Sequence, residues 1–220
     1  MLYFFADDHY GTHGGQLLYR GLPEGLRLQT TFTENEWSLL ESGVWKANCE
    51  LLILHFIAGT CGQPLPGTGA ENAVREYLES GGNILLLHGA SAAFWHWEWW
   101  RRIVGLRWVR PGDPDGASAS MHPHAPCRVV PVGCVEKPGN MLQEFELQYD
   151  EVYINLCVEG PVSTLMTTQV DGKEHPQCFS SSTPWGGRIV SFLPGHLPVN
   201  VRNPALQANV NELIRRLRGG

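Results

Sequence analysis

The sequence lacks long apolar runs and has few charged residues. No stretch of 18 apolar residues occurs, and the short apolar segment Leu2–Ala6 has no positive flank that would make it a signal peptide. Charged residues make up 17% of the 220 residues, and the formal charge of −6 argues against a basic patch for nucleic acid or anionic membranes. We therefore expect a cytoplasmic protein without nucleic-acid or membrane partners.

Several common motifs are also missing. The six cysteines form no Cys-x-x-Cys pair, so we expect reduced, structural thiols. Neither Gly-x-Gly-x-x-Gly nor Gly-x4-Gly-Lys-Ser/Thr is present, which predicts that the protein uses no nucleotide cofactor. Gly-x-Ser-x-Gly is absent too, which argues against a serine hydrolase built on Ser91.

Hydrophobic residues, in contrast, make up 43% of the chain and occur in strand-like runs that alternate with helical patterns. The predicted strands span residues 2–6, 26–32, 50–57 and 83–87, and capping boxes at 33–36 and 68–71 are predicted to open helices. This alternation predicts a parallel sheet with helices on both faces, in a flavodoxin-like α/β domain over residues 1–220.

The C-terminal half has a different pattern. Short strands at 127–132, 144–147, 162–169 and 188–193 are predicted to form an antiparallel extension of the sheet. A long loop, 109–126, precedes them and contains His122 and His124. Asn203 and Pro204 are predicted to open a last helix, Asn at the cap and Pro in the first turn.

Two polar loops are expected at the ligand-binding edge of the sheet. His88 follows the apolar strand 83–87 at a sharp turn, before a helix predicted to start near Ala92. The carboxyl ends of parallel strands face the ligand crevice, so His88 is expected in a site; the alternative is a His that only hydrogen-bonds a neighbouring loop. The loop after the first strand carries His13, which is either a metal ligand or part of a solvated loop.

The predicted helix after His88 is rich in aromatic residues, including Trp95, Trp97, Trp99 and Trp100. Aromatic rings suit the apolar faces of sugars, which makes Trp95 and Trp97 candidate substrate contacts; the alternative is an ordinary core. Exposed Trp side chains would also favour a homo-oligomer.

Four segments together resemble one family, the ThuA-like (trehalose utilisation) proteins, which have the class I glutamine amidotransferase type of flavodoxin-like fold. The segments are Gly81-Gly82 to His88-Gly89, Asp150-Glu151-Val152-Tyr153, Pro184-Trp185-Gly186-Gly187-Arg188, and Gly195-His196. The resemblance implies a role in carbohydrate metabolism, on a disaccharide or keto-sugar of the trehalose type. The amidotransferase position for a nucleophilic Cys is occupied by His88 here, so glutaminase activity is not expected.

The residues expected at the crevice define the candidate site. The catalytic candidates are His88, Glu151, His196 and Tyr153; the metal candidates are His13, His88, Glu151 and His196; and the substrate-binding candidates are Trp95, Trp97, Trp185, Arg188 and Gly89. Imidazoles and one carboxylate suit a divalent ion, with zinc favoured, or a metal-free general acid–base pair. Arg188 is expected to orient Glu151 or Asp150 through a charge-assisted pair.

Three interpretations remain open at this point. The first is a sugar-active enzyme that uses metal-assisted or His/Glu chemistry for hydrolysis, elimination or isomerisation. The second is a non-catalytic module that binds a sugar or a protein partner. The third is an oligomerising structural protein with an aromatic interface.

Overall fold

A computed structural model describes residues 1–59, 62, 64–133 and 142–219. Its strands are β1 Leu2–Ala6, β2 Thr30–Glu34, β3 Leu51–His55, β4 Ile84–Leu87, β5 Leu106–Arg107, β6 His124–Pro131, β7 Phe145–Glu151, β8 Cys157–Val158, β9 Ser163–Val170, β10 Lys173–Ser182 and β11 Arg188–Phe192. Its helices are α1 Gly14–Gly21, α2 Glu24–Arg27, α3 Ser38–Ser42, α4 Thr68–Glu79, α5 Glu98–Ile103, α6 Pro198–Val201 and α7 Pro204–Arg218.

Nine strands form one mixed sheet in the order β2-β1-β3-β4-β11-β10-β9-β6-β7. The first five in that order are mutually parallel, and the remaining pairings are antiparallel. Every residue of β3 and β4 is buried, as expected for strands covered on both faces. The predicted α/β, flavodoxin-like architecture with an antiparallel extension is therefore confirmed.

Two hydrophobic clusters stabilise the sheet. One contains apolar residues of β1 and β3 together with the buried face of α7, and the other contains the buried face of α4 and the aromatic residues after β4. The last helix begins as predicted, because the Asn203 side chain accepts the backbone N–H groups of Ala205 and Leu206. Within the described residues, no helix is both long and apolar enough to cross a membrane.

The predicted strand at residues 26–32 is wrong in its first half. Pro23 caps the short helix α2 instead, because its carbonyl accepts the N–H groups of Leu26 and Arg27, and the strand starts at Thr30. The first helix predicted from a capping box also starts later. Thr33 continues β2, and α3 begins at Ser38, whose N–H is accepted by the Glu36 carboxylate.

The helix predicted from Ala92 is wrong as well. A 3-10 turn spans His88–Ala92, and α5 starts only at Glu98. The Phe94 and Trp97 rings stack at 3.8 Å between centroids, and both side chains are buried with Trp100 in the core. Packing of these rings therefore replaces a regular helix over residues 93–97.

Two further differences concern the C-terminal half. Strand β10 was not predicted, because its sequence starts with charged residues and is interrupted by Pro176. In the structure the pairing of β10 with β9 shifts register immediately after Pro176. β6 already begins at His124, so the end of the predicted loop 109–126 forms a strand. Cys49, Cys127, Cys157 and Cys178 are free thiols, while Cys61 and Cys134 lie outside the described residues.

Candidate functional site

A cavity of about 180 Å³ lies beside the carboxyl ends of the parallel strands. Its lining consists of Tyr10, Ile57, His88, Gly89, Trp108, Arg110, Pro111, His122, Glu151 and Tyr153. Four of the residues predicted for the site, His88, Gly89, Glu151 and Tyr153, are among them. The cavity occurs where open parallel sheets bind ligands.

The backbone and one hydrogen bond constrain the position of His88. It directly follows β4 with a φ of 53°, in the left-handed region that non-glycine residues rarely adopt. Its Nδ1 lies 3.0 Å from the carbonyl oxygen of Leu193. A carbonyl only accepts, so Nδ1 carries the proton and Nε2 of the neutral ring keeps its lone pair. Burial, with His55 and His9 nearby, lowers the pKa of His88 well below its usual range, so the ring is neutral.

Glu151 and His196 approach this free nitrogen. His196 Nδ1 lies 3.2 Å from His88 Nε2, and Glu151 Oε2 lies 3.5 Å from the first nitrogen and 3.7 Å from the second. All three side chains are at least 88% buried, with exposures of 12% for His196, 11% for Glu151 and 3% for His88. Burial lowers the pKa of His196, opposed by the charges of Glu151 and Asp150.

Tyr153 completes this inner group. Its hydroxyl lies 3.3 Å from His88 Nε2 and is buried. Burial, and then the neighbouring Glu151 charge, raises the pKa of Tyr153 well above its usual range, so the hydroxyl remains protonated and can donate. Glu151 and Tyr153, two residues apart in the chain, therefore both face the cavity.

Asp150 supports the site from the opposite side of the strand. Its carboxylate accepts the N–H of Gly195 at 2.7 Å and that of His196 at 2.9 Å, and Asn200 donates to it at 3.0 Å. Asp150 is buried and does not line the cavity. It therefore positions the loop that carries His196.

His122 and His124 lie at the entrance of the site. Their nearest nitrogens are 3.3 Å and 3.4 Å from Glu151 Oε1, while the side chains are 44% and 38% exposed. The structure brings this His pair to the same carboxylate that faces His88 and His196.

His13 lies elsewhere. Its Nδ1 is 2.8 Å from Glu34 Oε2 and its Nε2 is 3.4 Å from Asp8 Oδ2, with half of the side chain exposed. The hydrogen bond to Glu34 raises the pKa of His13. Within the described part of the chain, the groups that could hold an ion are His88-Glu151-His196 and His122-His124-Glu151, so the predicted set with His13 is not assembled.

Arg188 and Trp185 do not reach the cavity either. β11 runs parallel to β4, so Arg188 at its start lies at the edge of the sheet opposite to His88. Its guanidinium donates to the carbonyl of Arg216, and the expected pair with Glu151 or Asp150 does not form. Trp185, three residues earlier, packs against the core, so both predictions of a crevice position are corrected.

The other two tryptophans predicted to contact substrate, Trp95 and Trp97, have other partners. Trp97 is buried in the core, stacked on Phe94. The guanidinium of Arg110 lies over the Trp95 ring, 5.1 Å from its centroid, and Arg110 itself lines the cavity. Trp95 therefore packs against Arg110, a residue of the cavity wall, without lining the cavity itself. The tryptophan in the lining is Trp108.

Sequence reasoning also missed a buried group of three imidazoles. The rings of His9, His55 and His88 lie with centroids 5.6–6.1 Å apart, two of them at the ends of β1 and β3. Asp7 Oδ1 is 2.5 Å from His9 Nδ1, and Asp7 Oδ2 accepts the N–H of Ile57. The available signal was a His at or shortly after the end of each of three neighbouring parallel strands.

Comparisons with known proteins agree with this fold. A ThuA-like protein from Parabacteroides merdae ATCC 43184 aligns with a TM-score of 0.70 at 16% identity, over 96% of this chain and 88% of that chain. A catalytic mutant of Gan42B, a GH42 β-galactosidase from G. stearothermophilus, aligns with a TM-score of 0.55 at 12% identity, over 98% of this chain and 30% of that chain. At these identities the likeness concerns the fold alone.

The family model gives the more specific result. No curated protein matches this chain. The ThuA family model, described as trehalose utilisation, matches residues 22–215, which include every residue of the inner group. This match supports a carbohydrate role related to trehalose utilisation, and the chain belongs to the ThuA family.

Proposed function

We propose that this protein is an enzyme that acts on a disaccharide or keto-sugar of the trehalose type, with one divalent ion, zinc favoured, bound by His88, Glu151 and His196. The observation that carries the proposal is the convergence of one carboxylate oxygen and two imidazole nitrogens, 3.2–3.7 Å apart. Tetrahedral zinc with bonds of about 2.0–2.1 Å separates its ligand atoms by about 3.3–3.5 Å.

The contact between His88 and Leu193 supports the metal-bound form. A metal-binding His commonly donates its other N–H to a carbonyl or carboxylate, which fixes the tautomer and the ring orientation. Here the Leu193 carbonyl takes Nδ1–H, and Nε2 is left to bind. When bound, such an ion polarises a sugar carbonyl or lowers the pKa of a water molecule.

Tyr153 and Glu151 supply the polar groups for the sugar. The protonated Tyr153 hydroxyl can donate to a substrate oxygen, and in the metal-free alternative Glu151 can accept a proton from a sugar carbon or hydroxyl. The volume of about 180 Å³ is below the range of about 300–1,000 Å³ common for drug-sized ligands, which suits one sugar ring with the rest of the substrate outside. The Trp108 ring offers an apolar stacking surface.

The first test is the metal content of freshly purified protein. We would compare wild type with His88→Asn and His196→Ala, since Asn tolerates the left-handed backbone at position 88. His175→Ala on β10 is the control, because this His lies outside both candidate ligand groups. Near-stoichiometric zinc, iron or manganese that falls in the two site variants and persists in the control is expected.

Turnover is tested next, on trehalose, its keto derivatives and other glycosides. Wild-type protein that carries the ion should convert at least one of them, and the two site variants should lose conversion while keeping their fold by circular dichroism. Two other results would contradict a metal-dependent enzyme and support an alternative. Turnover without any metal, even after reloading, would leave His/Glu acid–base chemistry, whereas sugar affinity without turnover would identify a binding module.

A further inference from the structure

Glu151 faces two separate pairs of imidazoles with its two carboxylate oxygens. Oε2 is directed toward His88 and His196, at 3.7 Å and 3.5 Å. Oε1 is directed toward His122 Nδ1 and His124 Nε2, at 3.3 Å and 3.4 Å. One carboxylate therefore connects an inner and an outer set of nitrogen atoms.

The backbone fixes the outer pair on Glu151. Residues two apart in an extended segment point the same way, which brings both imidazoles of His122-Pro123-His124 to one side. His124 is the register partner of Glu151 in the β6–β7 ladder. Between the two His residues, the Pro123 carbonyl accepts the N–H of Val152, and just before them Met121 and Ile154 exchange backbone hydrogen bonds. These bonds hold the segment against the strand that carries Glu151.

The distances favour ligation of an ion over direct pairing. A charge-assisted N–H···O contact is about 2.7–2.9 Å long, and all four nitrogen–oxygen distances around Glu151 exceed it. Three of them, at 3.3, 3.4 and 3.5 Å, match the edges of about 3.3–3.5 Å in a tetrahedral zinc site, and the fourth is 3.7 Å. In each set, the three ligand atoms lie within 4.8 Å of one another.

We propose that Glu151 bridges two divalent ions, an inner ion on His88 and His196 and an outer ion on His122 and His124. The proposal rests on the proposed function, which already assigns the inner ion. Each ion would have three protein ligands and keep open positions for water or sugar oxygens, as in two-metal hydrolytic sites. The exposure of His122 and His124 makes the outer ion the more weakly held of the two.

The experiment counts ions on the full chain. Protein stripped with a chelator is dialysed against zinc chloride and analysed by plasma mass spectrometry, as wild type, as His88→Asn, as the double variant His122→Ala/His124→Ala, and as the His175→Ala control. We expect two ions in wild type and control, and one in the double variant. Manganese-loaded wild type should give the spin-coupled paramagnetic resonance signal of a bridged pair, which the double variant loses.

The possible failures separate the two proposals. One ion in wild type that the double variant retains and His88→Asn loses would overturn the bridge and leave the proposed inner ion intact. One ion that His88→Asn retains and the double variant loses would overturn both, as would no ion in wild type. Two ions without spin coupling would overturn the bridging role of Glu151. Because His122 and His124 are exposed, the double variant should keep its fold, which circular dichroism checks.

Discussion

His88 Nδ1 lies 3.0 Å from the carbonyl oxygen of Leu193, so the side chain of the residue after β4 is hydrogen-bonded to the backbone of the residue after β11. These strands are parallel neighbours, and their pairing fixes the distance between the two ends. The tautomer of His88 therefore depends on the sheet itself, and the lone pair of Nε2 is directed toward Glu151, Tyr153 and His196.

Tyr153→Phe tests the hydroxyl that faces this lone pair. The phenyl ring keeps the packing against Leu106, Phe179 and Leu193. Loss of a general acid typically costs about 10²- to 10⁴-fold in rate, so we expect a drop of that order in kcat on any substrate found in the screen. Thermal unfolding should change little, because one hydroxyl contributes about 1 kcal/mol. Tyr19→Phe, on a distant helix, is the control, and unchanged kcat in Tyr153→Phe would remove the hydroxyl from the reaction.

Asp150→Asn tests the support of the His196 loop. The amide keeps one acceptor oxygen where the carboxylate had two, so one of the N–H groups of Gly195 and His196 loses its partner. The expected cost is about 1–3 kcal/mol in the free energy of unfolding, and zinc affinity should fall about 10- to 100-fold because His196 is less well held.

Chemical denaturation and zinc titration against a competing chelator measure these two effects. Asp171→Asn is the matched control, since Asp171 lies exposed on a turn with a φ of 50°, which Asn also tolerates. Wild-type zinc affinity in Asp150→Asn would show that the loop holds His196 without this carboxylate.

The arrangement of the site could be predicted in part. His88 and His196 follow strands that read as buried apolar runs, and the fold rule for parallel sheets brings such ends together. The predicted position of Arg188 in the crevice was wrong, and the same rule explains why. Arg188 stands at the start of its strand, so the same rule puts it at the opposite edge, as the structure has it.

Other features depended on packing that the sequence does not encode locally. The aromatic residues after β4 were predicted to form a helix that is apolar on most sides. In the structure Phe94 and Trp97 stack on each other, and the helix starts only at Glu98. The position of His124 against Glu151 depends on the register of β6 and β7, which joins segments that are far apart in sequence.

Gly89→Ala tests how closely the cavity wall is packed. A Cβ at position 89 would lie 2.3 Å from Ile57 Cδ1 and 3.2 Å from the Tyr153 hydroxyl. The Ile57 side chain must then move, at a cost of about 1–3 kcal/mol, and sugar affinity should fall because both residues line the cavity.

A second substitution separates steric from other effects. Ile57→Ala removes the clashing atoms, so the double variant Gly89→Ala/Ile57→Ala should be more stable than the sum of the two single effects, measured by urea denaturation. Gly25→Ala is the control, as no atom lies within 4 Å of its added Cβ. Simple additivity in the double variant would contradict the predicted contact with Ile57.

His55 predicts how stability depends on pH. The side chain is 2% exposed, and neither ring nitrogen has a hydrogen-bond partner among the described residues. Burial, assisted by the charge of nearby His9, lowers the pKa of His55 to about 3. In the unfolded chain the pKa of this imidazole has its ordinary value of about 6.5. The contribution of the neutral His55 ring to the free energy of unfolding is therefore complete above pH 6.5 and is lost as the pH falls toward 3.

His55→Leu should remove that loss, because leucine occupies a similar volume and does not titrate. Urea denaturation at pH 7, 5 and 4 measures the difference: wild type should lose a few kcal/mol more than the variant between pH 7 and pH 4. His175→Leu, at a partly exposed position on β10, should follow wild type. Parallel curves for wild type and His55→Leu would mean that this imidazole is charged or hydrated in the native protein, since only a neutral buried ring produces the acid sensitivity.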